Sequence, residues 1–301
     1  WILWDLACIR CNLVCVPVPP FFSAEQVRHL LDSANVDTLI GELPNGVDPT
    51  ELGFTPAPLG WQRDAADAAT APPLPAHTSK ITFTSGTTGR PKGVCLSADA
   101  LMDVAHSLQQ ASAEASPQRH LVLLPLGVLL DNVGVYAALL AGASVYLPAH
   151  TGVFGSRLDI QLLMQNLHQT QPHSLILVPQ LLQALLQAAA AGLHPSVVCL
   201  THPAGHRPGS VGKALAHLRV SLAEDGEILV HGSGPLGYLG TPEAVPSPWP
   251  TGDIGYLEGG FLTVLGRKKN QFITAFGRNV NPEWIEAELT SEPAIAQAYV
   301  H

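Results

Sequence analysis

Charge is scarce in this chain. Of its 301 residues only 13% are charged, while 47% are hydrophobic. Disorder, which goes with high charge and low hydrophobicity, is thereby excluded. Basic residues are the scarcer sign: 15 Lys and Arg stand against 24 Asp and Glu, a formal net charge of −9. Broad nucleic-acid binding needs a basic surface that displaces counterions, so this balance argues against it, although a local anion site is still allowed. Long hydrophobic runs are missing too. The longest apolar stretch, residues 133–149, is shorter than the ~20 residues of a membrane span and is broken by Gly134, Gly142, Ser144 and Pro148. Buried strand and helix is the better reading. Five cysteines are too few for a disulfide framework at this size. Cys8, Cys11 and Cys15, at i, i+3 and i+7 in an apolar run, are expected on one buried helix face, and they lack the fourth ligand and second close pair of a metal site. His194, His202 and His206 have Pro and Gly neighbours and read as solvated loop residues. The first residue is Trp1 rather than Met, so further residues are expected upstream and a targeting peptide would be invisible.

The length suits one large domain or two ordinary ones, with ample chain to bury a core. Ser23-Ala24-Glu25-Gln26 has the form of a capping box, and Val27, Leu30, Leu31 and Ala34 follow at helical spacing. Residues 36–40 read as the next strand. Such helix-then-strand alternation suggests an α/β chain with a parallel sheet covered by helices. Residues 43–79, rich in Pro, Ala, Asp and Gly, are expected to form a long surface loop. Residues 80–84 are a short β-type run, and Ser97 is placed to cap a helix whose apolar face is Leu101, Val104, Ala105 and Leu108. Residues 121–126, 143–147 and 175–178 read as buried strands, with helix over 164–168 and 181–191. Hairpins are expected around Asp225-Gly226 and Gly259-Gly260.

The stretch that carries chemistry is Thr84-Ser85-Gly86-Thr87-Thr88-Gly89-Arg90-Pro91-Lys92-Gly93. Its glycines permit tight turns that bring backbone N–H groups close to an anion, its hydroxyls add donors, and Lys92 adds a point charge. That composition suits a phosphate-binding loop. It is not a Walker A loop, because no Ser or Thr follows Lys92, Pro91 precedes it, and the nearest preceding glycine, Gly89, is three positions away. A flexible linker of the same composition would leave the strand before it and the capped helix after it unexplained.

This run resembles the signature loop of the AMP-forming adenylating enzymes, which include acyl-CoA synthetases, luciferases and peptide-synthetase adenylation domains. Two later stretches match in order. Thr251-Gly252-Asp253-Ile254-Gly255 resembles the family's ribose-binding segment. Gly266-Arg267-Lys268-Lys269-Asn270, followed by Phe276-Gly277-Arg278-Asn279-Val280-Asn281-Pro282, resembles its interdomain hinge and the start of its mobile lid. Lesser matches are Gly226-Glu227-Ile228 and Gly237-Tyr238-Leu239-Gly240, and the wording from Gln271 to Trp284 is closest to bacterial fatty acyl-CoA synthetases.

The resemblance implies that a carboxylate attacks the α-phosphate of ATP, that pyrophosphate leaves, and that the acyl-adenylate then passes its acyl group to a thiol, usually that of CoA. Positioning and charge neutralisation dominate such phosphoryl-type chemistry. By resemblance, Thr84, Ser85, Gly86, Thr87, Thr88, Gly89 and Lys92 would cradle the ATP phosphates, with Thr87, Thr88 and Lys92 acting on the reacting groups. Asp253 would accept hydrogen bonds from the ribose hydroxyls, or else merely cap its turn. Arg267 would approach the ribose or phosphates, or else be a solvated surface residue. Lys269 would be the hinge residue, and Gly277 would line the thiol's path. ATP, Mg²⁺ and CoA are the implied cofactors, a small carboxylic acid is the partner, an acyl carrier protein is the alternative acceptor, and the setting is cytoplasmic.

The fold implied is a large α/β body of stacked sheets over residues 1–266, with only a hinge and the beginning of a lid over 267–301. Two departures stand out. Before Arg207-Pro208-Gly209-Ser210-Val211-Gly212 the family carries an aromatic-Gly-x-Thr-Glu segment for adenine, α-phosphate and Mg²⁺, and here residues 193–197 run straight on without it. The family's late lid lysine also has no counterpart before His301. A longer chain with mobile parts is the expectation, and a catalytically inactive nucleotide- or acyl-binding relative is the rival; an ordinary P-loop kinase is the weakest alternative. For the acid, Leu126, Val128, Leu129, Leu130 and Val133 are apolar and residues 126–136 hold no Arg or Lys, which favours an apolar tail unless the run is simply core. Asp131-Asn132 is open between a turn and the pocket wall.

Overall fold

Short polar side chains start three of the five described α-helices. The computed structural model describes residues 1–64, 73–84, 90–154, 157–178, 210–232, 234–241 and 245–270, together with 181, 182, 185, 207, 272, 273, 279, 280, 286 and 289. Helix α1 spans Ile2–Arg10, α2 Ala24–Ser33, α3 Ala98–Ala111, α4 Leu129–Leu140 and α5 Ile160–Thr170. At α2 the capping box is complete: Ser23 Oγ accepts from Gln26 N at 3.3 Å while Gln26 Oε1 accepts from Ser23 N at 3.0 Å. Ser97 accepts from Ala100 N at the start of α3, and Asp159 accepts from Leu162 N at the start of α5. Each such cap stabilises its helix by ~1 kcal/mol.

The strands in chain order are β1 (Thr38–Leu39), β2 (Thr55–Ala57), β3 (Gly60–Gln62), β4 (Thr78–Thr84), β5 (Lys92–Ser97), β6 (Arg119–Leu121), β7 (Ser144–Tyr146), β8 (Val153–Phe154), β9 (Arg157–Leu158), β10 (Ser174–Leu175), β11 (Gly212–Lys213), β12 (Leu218–Leu222), β13 (Glu227–Gly232), β14 (Gly237–Tyr238), β15 (Trp249–Glu258), β16 (Phe261–Arg267), β17 (Phe272–Ile273) and β18 (Asn279–Val280). Backbone contacts divide the chain into two units, Trp1–Leu200 with Pro235–Ala244, and Thr201–Gly234 with Val245–His301. The second unit runs through residue 267, where the hinge motif places the start of a lid.

The first unit is α/β, as expected, but its sheets are not one parallel sheet. Among the described residues only the sheet β10-β6-β7 is parallel; β14-β5-β4 and β1-β3-β2 are antiparallel three-stranded sheets. The alternation that suggested a parallel sheet, α2 followed by the strand over 36–40, leads instead into β1, which pairs antiparallel with β3; tight connections such as β2 to β3 allow the antiparallel sheets. The stretch 43–79 is not simply a surface loop. It contributes β2, β3 and two 3₁₀ turns, and Leu52 and Phe54 are buried with Phe22, Val27, Leu30, Leu31, Ile81 and Phe83. A second core gathers Leu121, Leu123, Leu163, Leu167 and Leu175 between the parallel sheet and α5.

Helix α1 overturns the cysteine reading. It ends at Arg10, with Asn12 in the left-handed region at φ 55°, so Cys15 lies beyond it and forms a β-bridge with Lys80. Cys11 is exposed, Cys8 and Cys15 are half-buried, and the buried residue of α1 is Asp5. The strand expected over 121–126 is also shorter, because Asp131 Oδ2 takes the N–H groups of Leu123 and Leu124 that a longer ladder would use. His194, His202 and His206 lie outside the described residues, as does most of the helix expected over 181–191. No described helix is long and apolar enough to cross a membrane.

The second unit holds a five-stranded antiparallel sheet of order β11-β16-β15-β13-β12 and the antiparallel pair β17–β18. Both expected hairpins are present, β12–β13 around Asp225-Gly226 and β15–β16 around Gly259-Gly260.

Candidate active site

In the first unit the glycine-rich stretch joins two paired strands. Thr84 and Lys92 are direct partners across the antiparallel β4–β5 ladder, so the loop between them is closed at its base and Lys92 stands exposed beside its root. The exit of the loop is pinned to α2, where His29 Nε2 lies 3.0 Å from the Pro91 carbonyl oxygen. Gly93, just after Lys92, is needed for packing: a Cβ there would lie 3.0 Å from Ile81 Cγ2 and 3.1 Å from Phe83 and Leu239. Ser85, Gly86, Thr87, Thr88 and Gly89 lie outside the described residues.

Strand β4 is held from below by a cluster of buried polar groups. Lys80 is fully buried, and its Nζ lies 2.8 Å from Asp5 Oδ1 on α1 while donating to Tyr136 Oη at 3.0 Å and to Asn132 Oδ1 on α4. Asn132 Nδ2 and Tyr136 Oη in turn donate to Asp5 Oδ2. Burial pushes the Asp5 carboxyl up, yet Lys80 and the three hydrogen bonds outweigh it and hold the group below its usual range. Asn132 therefore belongs neither to a turn nor to a pocket wall. Asp131 beside it is fully buried, holds the two backbone N–H groups of β6's extension, and faces His120 Nε2 at 3.6 Å.

In the second unit Asp253 and Arg267 are register partners across β15–β16, and Arg267 Nε sits 2.9 Å from Asp253 Oδ1. Both are open to solvent, with side chains 28% and 54% exposed. Gly252 has φ +75°, and a Cβ there would meet nothing nearer than Arg267 Nη1 at 3.9 Å, so there is room above the turn for a ligand. Thr251 Oγ1 donates to the Ile228 carbonyl and accepts from Asp253 N, and Glu227 Oε1 accepts from Gly252 N at 3.0 Å. Lys268 Nζ completes this corner, 2.6 Å from Asp225 Oδ2 and 2.7 Å from Glu227 Oε2. Its hydrogen bonds to Asp225 and Glu227 hold the ammonium above its usual range and Asp225 below its own. Lys269 follows, exposed in the 3₁₀ turn Lys268–Asn270. Gly277 lies outside the described residues. Among the described residues no three His, Cys, Asp or Glu converge to hold a metal ion.

The family model described as AMP-binding enzyme matches residues 1–197. The chain belongs to the AMP-binding enzyme family. With that membership comes the class of AMP-forming acid–thiol ligases. A probable CoA ligase of Humulus lupulus is 26% identical over 377 aligned residues, covering 99% of this chain and 71% of its own. The long-chain-fatty-acid–CoA ligase FadD15 of Mycobacterium tuberculosis is 27% identical over 430, covering 100% and 68%. Both alignments are longer than the 301 residues here, so these AMP-binding relatives carry residues that this chain lacks. Among solved structures, O-succinylbenzoate coenzyme A synthetase of Bacillus subtilis in complex with ATP and magnesium shares the fold, with TM-score 0.72 and 21% identity over 99% of this chain and 73% of that one.

Sequence reasoning missed Asp5, Lys80 and Glu227 as partners. The signal for the first pair was present: Asp5 is the single acid in the apolar run Trp1 to Ile9, and Lys80 is the single cation entering a buried strand.

Proposed function

We propose that this enzyme activates an apolar carboxylic acid, of the fatty-acid type, as its acyl-adenylate at the expense of ATP, and passes the acyl group to the thiol of CoA with release of AMP. The observation that carries the reading is the solvent-open Asp253–Arg267 pair on β15 and β16, beside a glycine turn with room above it. A carboxylate and a guanidinium side by side offer acceptors for ribose hydroxyls and donors for phosphate oxygens. Lys92, exposed at the root of the glycine-rich loop, supplies a second cation for the phosphates in the first unit. Within this reading Thr84 to Gly89 and Lys92 hold the phosphates, with Thr87, Thr88 and Lys92 nearest the reacting groups. Asp253 and Arg267 hold the ribose side, Lys269 is the hinge from which a lid begins at 267, and Gly277 lines the thiol's path.

Mg²⁺ accompanies ATP in this chemistry, but the described residues offer it no carboxylate cluster, so no residue of this chain is assigned to it. The adenine segment expected before Arg207 likewise has no counterpart here. Catalysis in this reading is positioning and charge neutralisation by the residues named.

The preference for an apolar acid rests on residues 126–130. Leu126, Val128 and Leu129 are half-buried and Leu130 is exposed, while Val133 is core, packed with Leu101 and Tyr136. Lys80, buried against Asn132 and Tyr136 of α4, is already matched by Asp5. An acid with a second carboxylate therefore finds no unmatched positive group among these residues. ATP–pyrophosphate exchange over a panel of straight-chain, aromatic and dicarboxylic acids tests the reading. Exchange that rises with chain length, by ~0.8 kcal/mol per buried methylene, supports it; exchange confined to dicarboxylic acids refutes the apolar pocket. Competition between free CoA and a holo carrier protein decides the acceptor, and a soluble cytoplasmic setting is part of the same proposal.

A further inference from the structure

The Thr251-Gly252-Asp253 turn is a place where the sheet gives up its own hydrogen bonds. On β13 the register moves by two residues, from Glu227 to Leu229, while on β15 it moves by four, from Ile254 to Pro250. The extra residues are looped out of the ladder, which is how a β-bulge re-aims a side chain next to a site. The looped-out Gly252 N–H has lost its strand partner, and an unpaired amide in such a corner is costly. The Glu227 side chain takes its place, Oε1 accepting from Gly252 N at 3.0 Å. The other oxygen of the same carboxylate, Oε2, accepts from Lys268 Nζ at 2.7 Å. One carboxylate with 13% of its side chain exposed therefore ties down the residue just before Asp253 and the residue just after Arg267.

We infer that Glu227 is a positioning residue that holds the Gly252-Asp253 turn, and with it the Asp253 carboxylate, in the shape that receives the nucleotide ribose; this rests on the reading of Asp253 given above. Glu227 does not touch the ligand itself. It acts through the Gly252 amide, with Lys268 fixing the carboxylate from the far side.

The test is AMP binding by isothermal calorimetry on the purified chain, with a thermal melt of every variant. Glu227→Gln keeps an acceptor oxygen for Gly252 and loses only the charge toward Lys268, so its AMP Kd is expected within about threefold of the parent. Glu227→Ala removes the acceptor, and its Kd is expected to rise about tenfold. Glu227→Asp keeps the charge but is too short to reach the Gly252 amide, and it should weaken binding as the alanine does, so the Gln and Asp pair decides the matter even if the alanine variant fails to fold. Native binding in the alanine and aspartate variants, or equal losses in Gln and Asp, would overturn the proposal. Asp253→Ala is measured alongside: if it binds AMP like the parent, the ribose reading fails and this inference with it. If it loses binding while the Glu227 variants keep it, only this inference fails.

Discussion

Two lysines, Lys80 and Lys268, are held in the same chemical way and must behave differently. Each has its ammonium between carboxylate oxygens, 2.8 Å from Asp5 in one case and 2.6 and 2.7 Å from Asp225 and Glu227 in the other. Lys80 is sealed in the first unit with its whole hydrogen-bonding capacity spent on Asp5, Asn132 and Tyr136. Lys268 is 45% exposed at a sheet corner of the second, where water and salt screen the pair. Contact distance therefore says little about what a salt bridge does. Burial decides it: the first is a strut whose loss leaves a stranded charge, the second a brace on the corner that carries Asp253.

The largest effect should come from breaking the strut. Lys80→Met leaves the Asp5 carboxylate buried without its cation, with only Asn132 and Tyr136 still donating to it, a situation that costs about 3–5 kcal/mol. The double variant Asp5→Asn with Lys80→Met removes both charges and should recover a large part of that loss. Lys268→Met should leave the urea midpoint unmoved. Urea titrations of the three proteins test the contrast. A Lys80→Met midpoint equal to the parent's would mean that the cluster carries none of the stability assigned to it here.

Activity should show the reverse order. In the proposed reading the Asp253 carboxylate accepts from two ribose hydroxyls, each such bond to a charged group being worth about 1.5–3 kcal/mol, so for Asp253→Ala pyrophosphate exchange should fall about a hundredfold or more with an unchanged melting temperature. Lys92→Ala removes one exposed point charge and should cost about tenfold, mostly in the ATP KM. If Asp253→Ala were as active as the parent, the second unit would not hold the ribose.

How far the sequence alone carries follows the same division. Local rules were readable. The Ser23 and Ser97 caps, both hairpins of the second unit and the Thr84–Lys92 loop all rest on residues within ten or so positions of one another, where turn and cap chemistry decides. The candidate residues of each unit, Lys92 in the first and Asp253 and Arg267 in the second, stand out because they lie in short runs of distinctive composition. What escaped was long-range. Asp5 and Lys80 are 75 positions apart: each stands out as a lone charge in an apolar stretch, but only the fold brings the two together. Leu52 and Phe54 were hidden in a Pro- and Ala-rich stretch whose composition reads as loop, although two apolar side chains suffice to draw it onto the core. The cysteine periodicity misled because Asn12, which accepts a left-handed backbone, stops the helix before its third cysteine.

A gentler way to separate strut from brace is acid. The Asp5 carboxyl, held below its ordinary value of 3.8 in the folded protein, contributes stability that is complete above 3.8 and is lost as the pH falls through its lower folded value. The melting advantage of the parent over the Asp5→Asn, Lys80→Met double variant should therefore be constant at neutral pH and shrink only below 3.8. A gap that closed near pH 6 would point to another titrating group.

The smallest expected effect concerns the thiols around the strut. Burial, and next to it the negative charge of Asp5, pushes Cys15 up to about 12, and burial also raises Cys8 and Cys95. Thiolate is the reactive form, so these three should alkylate slowly and after exposed Cys11. Removing the Asp5 charge should quicken Cys15 modestly, since the larger cause, burial, remains. Timed iodoacetamide labelling at pH 8 with peptide mass spectrometry follows each site. Early labelling of Cys15 in the parent would show that its bridge to Lys80 opens readily, and the strut would then be looser than its contacts suggest.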